Sequence, residues 1–247
     1  MITGFPGSGT SLMGGLVYEL GVPMGPLSSL KMLGKTNPAG YYEHRNIWDA
    51  VELVTPSPYH GYWNCGVLND RREGKLRCNM CNDELTDNGK ILPDSRFKKP
   101  KFDPTIVELI EHLAQKDNIV AVKHASFPLI HEYFPHIKKC IVINRSAADL
   151  AAPTTSIDLR FNLKDLGGRN ILRKTGALEK HYVQPSLNYW RSTFDHIVRD
   201  KDIETMEFLY KDWKFNFNNN IDRLAKFLGV ELTSERKQAC KDLLVFR

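Results

Sequence analysis

The sequence predicts an α/β fold on a central, mainly parallel sheet, with a polar insertion, and three features of its 247 residues point there. A short apolar segment at 1–3 runs into a glycine-rich turn and then into an amphipathic helical pattern. Further apolar runs of strand length, rich in β-branched residues, alternate with helical patterns downstream. Between about 56 and 104 that alternation stops, and the chain turns polar with scattered Pro and Gly.

Taken in order, Leu12, Met13, Leu16, Val17 and Leu20 share one helical face over 11–20, and Gly21 stands where a C-terminal cap belongs. Ile106, Val107, Leu109, Ile110 and Leu113 make a second such face after Pro104. Strands are expected at 119–122 and 140–143. Helices are expected at 186–199, at 217–228 closed by Gly229, and at 234–244, with a short strand at 206–210 between the first two. The stretch from Asn69 to Lys101 holds fifteen charged residues among thirty-three, too many for an apolar core of its own. It reads as an insertion or lid on a single domain spanning 1–247.

Hydrophobic residues at 42% and charged residues at 26% match ordinary soluble globular chains and exclude disorder, collagen-like repeats and a disulfide scaffold. A net charge of +5 without clustering does not make a nucleic-acid surface, since the densest basic stretch, 96–101, lies among many acids. The balance suits a small anionic ligand. No run approaches the roughly 18 apolar residues of a membrane span, and the first residues lack the pattern of a signal peptide. A soluble, cytoplasmic protein that binds neither membrane nor nucleic acid is the expectation; the oligomeric state is not legible.

Gly4-Phe5-Pro6-Gly7-Ser8-Gly9-Thr10-Ser11 sits between the first strand and the first helix. A turn of this kind lets successive backbone N–H groups converge on an anion, and the helix N-terminus adds its positive dipole end. The hydroxyls of Ser8, Thr10 and Ser11 add donors. It is not a Walker A loop, because the Lys that must follow the second glycine is Thr10. Without that Lys the loop suits a group with less charge to neutralise, such as the 5′-phosphosulfate of an adenine nucleotide. The alternative is a glycine-rich turn with no ligand.

These residues resemble the sulfotransferase family, whose 5′-phosphosulfate loop runs G-x-P-[KR]-S-G-T-[ST]. Asn37-Pro38-Ala39-Gly40-Tyr41-Tyr42-Glu43 is similar to the N-P-x-G-Y-[FWY]-E element of bacterial-type members. Val122-Lys123-His124 resembles a strand ending in V-K-[DH]-P, and Ile141 to Arg145 with Ala148-Asp149 resembles [VI]-x-x-x-R-x-x-x-[DE]. Met206 to Trp213 and Leu224-Ala225-Lys226-Phe227-Leu228-Gly229 resemble a late strand and an "FLG" helix. The matches fall in order along nearly the whole chain apart from 56–104.

The resemblance implies a three-layer α/β/α, P-loop-NTPase-like fold. It also implies sulfonate transfer from 3′-phosphoadenosine 5′-phosphosulfate (PAPS) to a hydroxyl or amine acceptor, without a metal. Pro6, Gly7, Ser8, Gly9, Thr10 and Ser11 would hold the 5′-phosphosulfate. Arg145 would take the 3′-phosphate on its planar donor fork, where the alternative is a surface salt bridge. The Ser that joins this Arg in the family is Pro153 here, and Thr154, directly after it, is the candidate. The family's catalytic Lys or Arg is Gly7 here, and losing one such donor typically costs about 2.7–4 kcal/mol. Lys123, Arg45 or a residue of 56–104 replaces it, or turnover is slow or absent. Glu43 is the first candidate for the base that takes the acceptor proton, and His44 the second; for Glu43 the alternative is a capping or surface carboxylate. His124 reads as a structural histidine.

Cys78 and Cys81 have metal-ligand spacing, and with His60 and Cys65 would make a tetrahedral zinc site that gives the insertion a reason to fold. No second C-x-x-C exists, so solvent-facing thiols or a disulfide are the alternatives. Cys140 reads as core, and Cys240 carries no signal. Acceptor contacts are sought in the insertion, with Tyr59, Tyr62 and Trp63. Two other functions stand beside the transferase: a P-loop nucleotide or small-molecule kinase, and a PAPS-binding protein that has lost catalysis. Thr10 and the lack of an apolar strand ending in a Mg²⁺-binding Asp speak against the kinase. Gly7 speaks for the degenerate form.

Overall fold

The computed structural model describes residues 1–25, 30–31, 40–45, 47, 67–70, 75–78, 84–85, 119–125, 127, 131, 134, 136–152, 176 and 179–245. Strands β1 (Ile2–Thr3), β7 (Lys139–Asn144) and β8 (Glu204–Leu209) form a parallel sheet in the order β1-β7-β8. Ile2 pairs with Ile141, and β7 runs in register with β8 from Lys139↔Glu204 to Asn144↔Leu209. On the other side of β1, Lys123 makes an isolated parallel bridge to Ile2. There the Ile2 N–H donates to the Val122 carbonyl at 2.7 Å, and the His124 N–H to the Ile2 carbonyl at 3.0 Å. The strand expected at 119–122 is thus reduced to this bridge: β1 gives way to the glycine turn after two residues and offers no longer ladder.

Alternation along β7 divides the core. Ile141 and Ile143 pack with Leu12, Met13 and Leu16 of α1 (Thr10–Glu19), while Cys140 and Val142 pack on the opposite face with Phe5, Phe127 and residues from Ala147 onward. That second cluster takes Leu150 from α2 (Ala147–Ala151) and Trp190, Phe194 and Ile197 from α3 (Gln184–Asp200). One π-helical turn, Glu179–Val183, leads into α3. After β8 come α4 (Asp212–Phe215), α5 (Phe217–Leu228) and α6 (Ser234–Val245). Ile221 and Leu224 of α5 and Cys240 of α6 join the cluster of α1. The protein is therefore a mixed α/β structure with a small parallel sheet flanked by helices.

Helix ends fall where capping chemistry sets them. Past α1, the Gly21 N–H bonds to the Tyr18 carbonyl and the Val22 N–H to the Val17 carbonyl. Past α5, Gly229 and Val230 do the same to Lys226 and Ala225. Both are Schellman closures. Ser146 caps α2, its Oγ accepting from the Asp149 N–H at 3.1 Å. Arg191 of α3 reaches both Glu207 carboxylate oxygens on β8, and Glu207 also accepts from Asn144 Nδ2 at 2.8 Å. Charge-assisted hydrogen bonding by Arg191 holds the Glu207 carboxyl below the usual range.

Two further ladders lie outside the parallel sheet. β2 (Leu30–Lys31) pairs antiparallel with β3 (Glu43–His44), which carries a candidate base. β4 (Val67–Asp70), β5 (Lys75–Cys78) and β6 (Glu84–Leu85) form an antiparallel meander inside the polar insertion. The sequence reading places no strands there, because four-residue, charge-rich segments are too short for a period of two to show. The helix expected at 106–113 lies outside the described residues. Among the described residues, no helix is long and apolar enough to cross a membrane.

Candidate functional site

The glycine-rich turn leaves the C-terminal end of β1, where open α/β sheets present ligands. It folds back on itself: the Ser8 N–H donates to the Phe5 carbonyl at 2.9 Å, and the Leu12 and Met13 N–H groups both bond to the Gly9 carbonyl. Gly9, at φ 106, stands at the N-cap of α1, and no side chain caps the helix. A Cβ on Gly9 would overlap the Tyr210 ring, and one on Gly4 would press on the Ile143 carbonyl and on Ser8 Oγ. Pro6 and Thr10 are buried, and Gly7 and Ser11 are half-buried. Ser8 is fully buried, yet its hydroxyl has no hydrogen-bond partner among the described residues. A buried hydroxyl without a partner costs about 1–3 kcal/mol, and here it lies in a turn suited to an anion.

Strand order brings one cation to each side of this turn. From β7, Arg145 donates through Nη1 to the Gly7 carbonyl at 3.1 Å, and its guanidinium lies 3.9 Å over the Tyr210 ring. From the bridge on the far side of β1, Lys123 donates through Nζ to Ser11 Oγ at 3.3 Å. Its Nζ is also 2.5 Å from Glu43 Oε1. Lys123 is 2% exposed and Glu43 15%, so the pair is largely removed from water. Three sequence candidates far apart in the chain, Ser11, Glu43 and Lys123, thus meet at one point.

His44 is buried, both ring nitrogens lack a partner among the described residues, and burial pushes its pKa below the ordinary value. It lines a small cleft with Met24, Leu30, Tyr42, Ala121 and Lys123. His124 is also buried, and desolvation pushes it down to about 4, with Lys123 adding to the drop and Glu43 opposing it. Both imidazoles are neutral near pH 7. Arg45 is exposed. Cys140 and Cys240 are buried free thiols, pushed by burial up to about 11 and about 12.

Thr154, His60, Cys65, Cys81, Tyr59, Tyr62 and Trp63 lie outside the described residues, and Cys78 is placed only by its backbone at the end of β5. Among the described residues no His, Cys, Asp and Glu gather closely enough for a metal ion. Tyr210 is the site residue that sequence reasoning missed. The sequence marks it only as the last position of a strand, while its place over Gly9 and under Arg145 comes from the pairing of β8 with β7. Comparison with protein-family models, with curated proteins and with solved structures gives no match.

Proposed function

We propose that the chain is a sulfotransferase that moves the sulfonate of PAPS to a hydroxyl or amine acceptor. The observation that carries this reading is the convergence of Lys123 and Arg145, from the two segments beside β1, on a glycine-rich turn holding a buried Ser8 hydroxyl that has no partner among the described residues. Two separated cations around one N–H-rich turn suit a ligand with two separated anionic groups. In this reading the 5′-phosphosulfate lies on the turn with Ser8, Thr10 and Ser11, and the 3′-phosphate on Arg145. The fold is then a three-layer α/β/α of P-loop-NTPase-like type, with 56–104 as a lid.

Lys123 takes over the part of the missing loop cation. Gly7 has φ 90, a backbone region that side chains rarely adopt, so a Lys there would strain the turn. Lys123 supplies the positive charge from the neighbouring strand end instead, beside Ser11. The acceptor oxygen bonds to sulfur as the bond from sulfur to the 5′-phosphate oxygen breaks, and charge collects on that oxygen. In this reading Glu43, paired with Lys123, takes the acceptor proton.

Calorimetric titration with 3′,5′-adenosine bisphosphate, without metal, tests this. A Kd of about micromolar order, weakened about 10- to 100-fold in Arg145→Ala, is expected. No binding to wild type, with binding of Mg²⁺–ATP instead, refutes it and favours the kinase.

A further inference from the structure

Ser11, Gly14, Gly15 and Tyr18 fall on one stripe of α1, at spacings of three and four. The two glycines leave a trough in that stripe, and Tyr42 fills it. A Cβ on Gly14 would stand 2.9 Å from Tyr42 Cβ, and one on Gly15 would stand 3.2 Å from Tyr42 Cε2. The Tyr42 ring also meets the Tyr18 ring, centroids 5.8 Å apart. Tyr42 is 4% exposed and has φ 54, a left-handed backbone that a bulky side chain rarely adopts. Such a conformation persists only where surrounding contacts impose it, and here the next residue is Glu43, which meets Lys123 at Ser11.

We infer that Tyr42 is a positioning residue: seated in the Gly14–Gly15 trough, it fixes β3 so that Glu43 holds Lys123 against the first turn of α1. The functional half of this inference rests on the anion-loop reading above. The geometry joins the helix that carries the turn to the strand that carries the carboxylate, through a residue packed between them. Gly14 serves the same end from the other side, since its missing Cβ leaves room for Tyr42 and, 3.7 Å away, for Lys123 Cγ.

The test uses the full chain as wild type, Gly14→Ala, Tyr42→Asn and the double variant. Asn accepts left-handed backbone but lacks the ring. Lysine acylation by a succinimidyl ester, read at Lys123 by mass spectrometry, reports the clamp, and titration with 3′,5′-adenosine bisphosphate reports the site. Acylation of Lys123 is expected to rise about tenfold in each single variant as local packing loosens. The double variant should rise at least as far as Tyr42→Asn alone, because Asn lacks the ring but keeps the Cβ on which a methyl at position 14 presses. Cys140 should stay unlabelled by a thiol reagent, marking an intact core. Nucleotide affinity should fall about tenfold in the same variants.

Lys123 acylation unchanged in Tyr42→Asn overturns the inference, whatever the nucleotide does. Acylation raised with affinity unchanged overturns its functional half. A wild type that binds no bisphosphate overturns the sulfotransferase reading, while the acylation pattern still decides the clamp.

Discussion

Gly9→Ala tests the construction of the turn most directly. At φ 106 a Cβ strains the backbone by about 1–3 kcal/mol. The new methyl also overlaps the Tyr210 ring, 2.7 Å from Cε2 and closer to Cδ2, and overpacking of this kind costs about 1–3 kcal/mol. Reduced freedom of the unfolded chain offsets roughly 0.4–1 kcal/mol. The expected net loss is about 1–5.6 kcal/mol, which for a chain of this size lowers Tm by roughly 2–22 °C. Urea denaturation of Gly9→Ala, Tyr210→Ala and the double variant separates the two causes. Removing the ring should relieve the overlap and leave the backbone strain, so the double variant should be more stable than additivity predicts. Because Tyr210 also supports Arg145, both single variants should weaken binding of 3′,5′-adenosine bisphosphate. A Gly9→Ala protein within about 0.5 kcal/mol of wild type, or strict additivity in the double variant, refutes the reasoning.

Three further outcomes are expected. His124 is buried with its pKa lowered to about 4. Between its ordinary value and about 4 the unfolded chain therefore binds a proton that the native chain does not. Stability is full above the ordinary value and falls as pH drops, by about 3 kcal/mol near pH 4. Urea midpoints across that range should show this slope, and a folded His124→Gln variant should flatten it. Removing one member of the Lys123–Glu43 pair leaves the other charge poorly solvated: Glu43→Gln or Lys123→Met should each cost about 3–5 kcal/mol, the double variant far less than both together. A double-mutant cycle checks this, and additive losses would disprove it. Cys140 and Cys240, with pKa values pushed to about 11 and about 12, should resist a thiol reagent in the native protein and react once urea unfolds it.

The local elements were legible in the residues themselves. The apolar stripe and Gly21 delimit α1, while Gly229 and the run before it delimit α5, because period and capping are decided within a few residues. The strands around 141 and 206 show through their apolar runs. The glycine turn is likewise legible, since a strand, an N–H-rich bend and a helix start follow directly in the chain. The meander of β4 to β6 is not, because its pairing depends on partner segments and not on its own pattern.

What the chain alone could not decide is which charges meet the turn. The residues alone leave Lys123, Arg45 and the insertion as candidates for the absent loop cation, beside slow or absent turnover; the bridge at Ile2 sets Lys123 beside β1 and Ser11. Glu43 and His44 are neighbours in sequence, yet one reaches the cation and the other faces an apolar cleft, because side chains alternate along β3. Tyr42 and Tyr210 acquire their places from glycines far away in the sequence, through holes that only the packed helix and sheet reveal. Local propensity is written in neighbouring residues, but the coupling of distant side chains exists only once strand order and helix packing bring them into contact.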